Sequence, residues 1–101
     1  MSVKIITPQR AIRWLDAGKG TLVDVREPDE YEHLHIPDAL SLPLGRLRAL
    51  APAALPDRDA PVLVYCQSGV RSAQGAAVLD HMGYTQVYDL GGIVNWPYET
   101  V

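Results

Sequence analysis

The feature that most restricts the fold of this 101-residue chain is one apolar strand that leads through a glycine-containing turn into a helix. Residues 61–65 read PVLVY, a continuous apolar run that is typical of a strand covered on both faces. The polar turn 66–71 follows, and helical spacing of small and apolar residues predicts a helix from about Ser72 to Met82. A strand covered on both faces requires helices on both sides of its sheet, so this unit favours an α/β architecture.

The rest of the chain repeats this alternation of strands and helices. Thr7-Pro8 supplies a helix cap and a proline at the first helical position, and Gly18 and Gly20 are expected to end that helix. The pattern predicts an α/β fold in one domain over residues 1–101, with a mostly parallel central sheet and helices on both faces. Further strands are expected at 21–25, 40–42 and 86–90, a helix at 27–33, and a short helix from Leu44 that ends at the proline-rich stretch 52–61.

Composition and charge exclude several classes of function. Twelve acidic and nine basic residues give a net charge of −3, and the basic residues are scattered, so no nucleic-acid partner is expected. No apolar run reaches membrane-spanning length, and the N-terminus lacks the apolar segment that secretion requires. One cysteine and three histidines without ligand spacing predict neither a metal nor another cofactor. The expected compartment is the cytoplasm.

The turn after the predicted central strand carries the most chemical information. Cys66 follows the strand directly, and ligand sites in parallel sheets lie beyond the carboxyl ends of the strands. A tight turn, which Gly69 permits, can aim successive backbone N–H groups at one anion and favour a thiolate. Arg71 in the first helical turn opposes the helix dipole, at a cost of a few tenths of a kcal/mol unless an anion is nearby. Cys66 is therefore predicted to be a nucleophile in an anion-binding loop.

Other residues have weaker assignments. Gln67 and Ser68 flank the loop mouth and are expected to tune the choice of anionic ligand, whereas Ser72 serves either as a cap or as a hydrogen-bond donor to the site. Asp24 and Arg26 end a neighbouring strand, where we expect a buried ion pair that holds the loops together. Four further candidates stay open or are disfavoured. Trp96 and Tyr98 either line the pocket or cover the sheet end, and a role for His33 or His35 as a base for Cys66 is not expected.

The segment Cys66-Gln67-Ser68-Gly69-Val70-Arg71-Ser72 resembles the active-site loop of the rhodanese family. The resemblance covers nearly the whole chain, because three more segments are similar to motifs of that family in the same order. These are Asp24-Val25-Arg26-Glu27, then Glu30-Tyr31 through His35-Ile36-Pro37, and finally Gly91-Gly92-Ile93 with Trp96. Leu34 and Asp38 depart from the pattern, since glycines are common at those positions.

The resemblance implies a rhodanese-like three-layer fold and a thiosulfate sulfurtransferase. The Cys66 thiolate would take the outer sulfur of a small anionic donor such as thiosulfate, release sulfite and hold the sulfur as a persulfide. Backbone N–H groups from Gln67 to Arg71, including that of Val70, would stabilise these anions, with the Arg71 side chain directed at the donor's oxygens. The acceptor, cyanide or a thiol of a small molecule or small redox protein, must be external because the chain has no second cysteine.

Two other functions remain as alternatives. A cysteine-dependent phosphatase or arsenate reductase also uses a thiolate in an anion loop closed by arginine, but that loop has five residues between the two, and here there are four. A rhodanese-like sulfur carrier or docking module would keep the fold, but it would hold sulfur for one protein partner or simply bind that partner. The intact Cys66 argues against an inactive module but not against a dedicated carrier.

Overall fold

A parallel sheet of five strands forms the centre of the protein in a computed structural model that describes residues 3–101. The strand order is β1-β5-β4-β2-β3, and every neighbouring pair is parallel, as the alternation of elements predicts. The elements are β1 Lys4–Ile5, α1 Pro8–Asp16, β2 Thr21–Asp24, α2 Pro28–His33, β3 Leu40–Ser41, a 3₁₀ turn Leu44–Arg46, α3 Leu47–Ala54, β4 Val62–Cys66, α4 Val70–His81, β5 Val87–Gly92 and a 3₁₀ turn Ile93–Asn95.

Side-chain alternation along β4 explains the two hydrophobic cores. Val62, Val64 and Cys66 point to one face, where they pack with the buried faces of α3 and α4. Leu63 and Tyr65 point to the other face, where they pack with α1 and with the C-terminal segment. All five residues of β4 are buried, which confirms the predicted α/β fold with helices on both faces of the sheet.

Two boundaries near the central turn differ from the sequence-based prediction. β4 extends through Cys66, because Cys66 still pairs with Gly92 of β5 at the strand end. α4 begins at Val70 rather than near Ser72, since Gly69 takes a φ of 109° and serves as the N-cap. The connecting loop is therefore only 67–69, and Arg71 belongs to the first turn of the helix.

The short helix ends within the proline-rich stretch 52–61, as expected, but it continues past the first proline of that stretch. α3 runs to Ala54 with Pro52 inside it, so proline removes one backbone donor without ending the helix. The next turn is still secured, because Ala51 O accepts a 2.7 Å bond from Leu55 N and lies 3.1 Å from the hydroxyl of Tyr84. Within residues 3–101, none of these helices is long and apolar enough to cross a membrane.

Candidate active site

The sulfur of Cys66 lies at the base of the loop between β4 and α4. Its residue is 1% exposed, and the Gly69 N–H donates a hydrogen bond to Sγ over 3.0 Å. Because Gly69 immediately precedes α4, this donor is also at the positive end of that helix. The side chains of Gln67 and Ser68 are exposed at the mouth, and Val70 is 69% exposed beside them. A backbone N–H donor and the start of a helix therefore lie beside the Cys66 sulfur.

Gly92 allows the loop to cross closely over the end of β5. A Cβ atom on Gly92 would lie 2.5 Å from Gln67 O and 2.8 Å from the Cα of Ser68. The crossing is also held by a 3.3 Å hydrogen bond from Val94 N to Gln67 O. Just before it, the pairing of β4 with β5 shifts by one residue, so that Val64 faces Asp89 and Tyr65 faces Gly91. The close approach of Gly92 to the backbone of Gln67 and Ser68 gives a steric reason for the second glycine of the Gly91-Gly92 pair.

Asp24 and Arg26 form the expected ion pair beneath the loop. Arg26 Nη2 lies 2.7 Å from Asp24 Oδ2, and the two side chains are 3% and 0% exposed. Arg26 Nη1 also donates to Gln67 Oε1 over 3.2 Å, and Nη2 donates to Leu34 O over 2.8 Å. Burial opposes the charged guanidinium, but hydrogen bonding to Asp24 and the charge of that carboxylate outweigh burial and raise the pKa of Arg26. The pair thus ties the loop to the segment after α2.

Arg71 is bound to a carboxylate that the sequence analysis did not connect with it. Its Nη1 and Nη2 donate to Glu30 Oε1 and Oε2 over 2.6 and 3.0 Å, a bidentate pair between α4 and α2. The hydrogen bonds from Arg71 are the largest cause that lowers the pKa of Glu30 to about 2, and the same bonds raise the pKa of Arg71. The guanidinium that was expected to face the donor's oxygens is therefore already engaged.

This ion pair predicts an acid-dependent loss of stability. The folded pKa of Glu30 is about 2 against an ordinary value of 4.5, so the stabilisation is present above pH 4.5 and is lost as the pH falls towards 2. Wild type should exceed Glu30→Gln in free energy of unfolding at neutral pH, and the difference should shrink below pH 4.5. Urea unfolding of both proteins at a series of pH values measures this; a difference that does not change with pH would contradict the assignment.

Ser72 connects the start of α4 to β5. It is fully buried, and its Oγ lies 2.7 Å from Asp89 Oδ1 and 3.1 Å from Gly69 O. Asp89 Oδ1 also accepts a hydrogen bond from Gly91 N over 2.9 Å. Ser72 thus anchors the residue whose amide contacts Cys66. Asp89 was not selected from the sequence, since nothing in the order of residues indicates that β5 brings it under α4.

A cavity of about 500 Å³ opens beside Gln67. Trp96 and Tyr98 line this cavity, and their rings form an edge-to-face pair with centroids 5.1 Å apart. His33 lies in the wall, whereas the ring of His35 stacks on Tyr31. The complete lining consists of Arg26, Glu30, His33, Leu34, Gln67, Ile93, Val94, Trp96, Tyr98 and Thr100.

The two departures from the resembled motif have different structural consequences. Leu34 has a φ of −164°, an extended conformation that any residue adopts. Asp38 has a φ of +69°, in the left-handed region where glycine is favoured and aspartate is tolerated. Only Asp38 therefore occupies a position that would suit glycine better.

In the part of the chain that the structure describes, no group of three or more His, Cys, Asp or Glu side chains could hold a metal ion.

Comparison with known proteins identifies relatives over most of the chain. The family profile described as "Rhodanese-like domain" matches residues 7–98. "Thiosulfate sulfurtransferase PspE" of Escherichia coli is 38% identical over 71 residues, which are 70% of this chain and 68% of that protein. "Probable adenylyltransferase/sulfurtransferase MoeZ" of Mycobacterium tuberculosis is 38% identical over 90% of this chain, but the chain spans only 24% of its length. The solved structure "rhodanese with anions from E. coli" has a TM-score of 0.77 at 34% identity, covering 81% of this chain and 96% of that one.

Proposed function

The chain is a sulfurtransferase that belongs to the rhodanese-like domain family, and on this premise we propose that it carries sulfane sulfur as a persulfide on Cys66. The proposal assigns the activity to residues 1–101 acting as one domain. The observation that carries it is the 3.0 Å hydrogen bond from Gly69 N to Cys66 Sγ at the start of α4. This arrangement stabilises a thiolate before transfer and a persulfide anion after it.

The first half-reaction conserves charge and needs no redox partner. The Cys66 thiolate attacks the outer sulfur of a donor such as thiosulfate, a new S–S bond forms, and the bond to the sulfonyl sulfur breaks. Its electron pair leaves with sulfite, and Cys66 retains the transferred sulfur as a singly charged persulfide. Gln67, Ser68, Gly69, Val70, Arg71 and Ser72 form the proposed donor site, supported by Asp24 and Arg26.

The second half-reaction requires an acceptor from outside the chain. Cys66 is the only cysteine, so no internal thiol can remove the sulfur. We propose that a thiol of a small molecule or of a small redox protein attacks the outer sulfur and restores the Cys66 thiolate, and that cyanide does the same in an assay. The cytoplasm is the proposed compartment because its reducing pool keeps acceptor thiols available.

Turnover with different donors tests the reaction class. We expect steady thiocyanate formation from thiosulfate and cyanide, and negligible hydrolysis of an aryl phosphate at the same enzyme concentration. The four residues between Cys66 and Arg71 leave a smaller cradle than a phosphatase loop has, and Arg71 is bound to Glu30. Phosphate hydrolysis without sulfur transfer would contradict the proposal. A single round of transfer without turnover would favour the carrier or docking module instead.

A further inference from the structure

One carboxylate oxygen joins the two elements that meet at the Cys66 loop. Asp89 Oδ1 lies 2.7 Å from Ser72 Oγ in the first turn of α4, and it accepts a 2.9 Å hydrogen bond from Gly91 N in β5. Ser72 is fully buried, and its hydroxyl has one proton, which the shorter contact with a charged oxygen directs to Asp89 rather than to Gly69 O at 3.1 Å. Asp89 therefore ties the start of α4 to β5.

The bond to Gly91 supports the loop from below. Just after Asp89, the pairing of β5 with β4 skips one residue, so that Gly92 lies opposite Cys66 and against the loop backbone. Gly91 has a φ of 88°, and an aspartate that accepts from the N–H two residues along stabilises a turn of this kind. The Asp89 side chain thus holds β5 in the shape that places Gly92 under residues 67 and 68.

The bond to Ser72 acts on the other side of the loop. Gly69, the N-cap of α4, donates its N–H to Cys66 Sγ over 3.0 Å, and its carbonyl accepts from Ala73 N over 3.3 Å. Ser72 lies in that same helical turn, so a change in its position is passed to Gly69 through the hydrogen bonds of the turn. Asp89 thereby fixes the direction of the amide that contacts the sulfur, acting through Ser72.

The oxygen of Asp89 and the charge of Asp89 have opposite effects on the loop. A carboxylate beside an anion-binding loop repels the anions that the loop binds. Its oxygen, however, accepts hydrogen bonds from Ser72 and Gly91 that the oxygen of an asparagine accepts equally well. An asparagine at position 89 therefore separates the position of the loop from the charge beside it.

We propose that Asp89 is a positioning residue for persulfide transfer: through Ser72 and Gly91 it holds the Gly69 amide against the Cys66 sulfur. The bonds that form and break are those of the proposed function, on which this inference rests, and Asp89 itself exchanges neither proton nor sulfur. The part of Asp89 that the reaction requires is the hydrogen-bond acceptor and not the negative charge.

Two variants of Asp89 test the proposal through kcat of the thiosulfate-to-cyanide reaction. Asp89→Ala removes the oxygen and frees both sides of the loop, so kcat should fall by about tenfold to a hundredfold. Asp89→Asn keeps the oxygen, so its kcat should stay within about twofold of wild type. Full kcat in Asp89→Ala would overturn the proposal. Equal losses in the two variants would overturn it as well, because the charge would then be the required part.

The Gly69 amide proton reports its hydrogen bond to the Cys66 sulfur directly. In ¹⁵N-labelled protein without any donor, Asp89→Ala should move this resonance upfield, because the bond lengthens, and Asp89→Asn should leave it near its wild-type position. Ser72→Ala breaks only the bond to α4 and introduces a stronger helix former, so it should fold even if Asp89→Ala does not. It should move the same resonance upfield and lower kcat about fivefold. An unmoved Gly69 resonance in Ser72→Ala would overturn the proposal.

Tyr84→Phe is the control for a general loss of stability. The buried Tyr84 hydroxyl donates to Leu55 O over 2.7 Å and also lies 3.1 Å from Ala51 O, so its removal weakens the α3 side of the core and not the loop. This variant should unfold at a lower temperature with wild-type kcat and an unmoved Gly69 resonance. A loss of kcat equal to that of Asp89→Ala would overturn the proposal.

The wild-type chain distinguishes failure of this inference from failure of the proposed function. Normal sulfur transfer by wild type, together with full kcat in Asp89→Ala, would overturn the role of Asp89 alone. Absence of sulfur transfer by the wild-type chain, measured as thiocyanate from thiosulfate and cyanide, would overturn the proposed function and the role of Asp89 with it.

Discussion

Replacing Cys66 with alanine is expected to abolish sulfur transfer. The Cys66 sulfur is the atom that bonds the transferred sulfur, and the chain contains no other cysteine to replace it. Removing a covalent nucleophile commonly lowers kcat by a factor of a thousand or more. The thiosulfate-to-cyanide reaction should therefore fall to the uncatalysed background in Cys66→Ala, measured as thiocyanate formed per unit time.

Cys66→Ser separates chemistry from packing. Cys66 is buried against the core on the α3 and α4 side, so an alanine leaves a small void that could shift the loop. Serine keeps the side-chain length and can accept the hydrogen bond from Gly69 N, but its hydroxyl does not ionise near neutral pH. Both variants should be inactive while their thermal unfolding remains cooperative. Activity of either variant above a tenth of wild type would exclude Cys66 as the nucleophile.

Gly92→Ala should nearly eliminate turnover although Gly92 carries no reactive group. The new Cβ atom would lie 2.5 Å from Gln67 O and 2.8 Å from the Cα of Ser68, both of which are backbone atoms. The loop must move away by several tenths of an ångström, which displaces the amide that contacts the Cys66 sulfur. Misplacement of reacting groups by about 1 Å can lower rates by about a hundredfold. We expect a loss of that order in kcat and a loss of stability of about 1–3 kcal/mol.

Gly45→Ala is the matched control for Gly92→Ala. Gly45 does not have a positive φ, and a Cβ there would meet no atom of the described residues within 4 Å. The same change in side-chain size should therefore leave kcat and the unfolding temperature near the wild-type values. If Gly92→Ala retained full kcat, the close crossing of the loop over β5 would not be needed for function.

The sequence was sufficient to predict the parts of the fold that depend on local patterns. The apolar run 61–65, the glycine turn after it and the helical spacing beyond were each determined by neighbours in the chain. The parallel sheet and the place of Cys66 at the carboxyl end of β4 were therefore predicted, although β4 extends one residue further than expected. α3 continues past Pro52 to Ala54, and its end is held by tertiary contacts that the local pattern does not indicate, among them that of Tyr84 with Ala51 O.

The electrostatic partners of the loop could not be predicted in the same way. Glu30 was part of a recognised motif, but its bond to Arg71 joins residues 41 positions apart and depends on how α2 packs beside α4. Asp89 reaches Ser72 from β5 through the parallel pairing of β4 with β5. Both carboxylates were visible in the sequence, but their proximity to the site follows only from the order of the strands.

Mass spectrometry of the intact protein after exposure to thiosulfate tests the central claim most directly. The persulfide account predicts an adduct of one sulfur atom on the wild-type chain, localised to Cys66 by fragmentation and removed by cyanide. The same treatment of Cys66→Ala should give no adduct. A wild-type chain that remains unmodified, or an adduct that persists in Cys66→Ala, would contradict the claim that Cys66 carries the transferred sulfur.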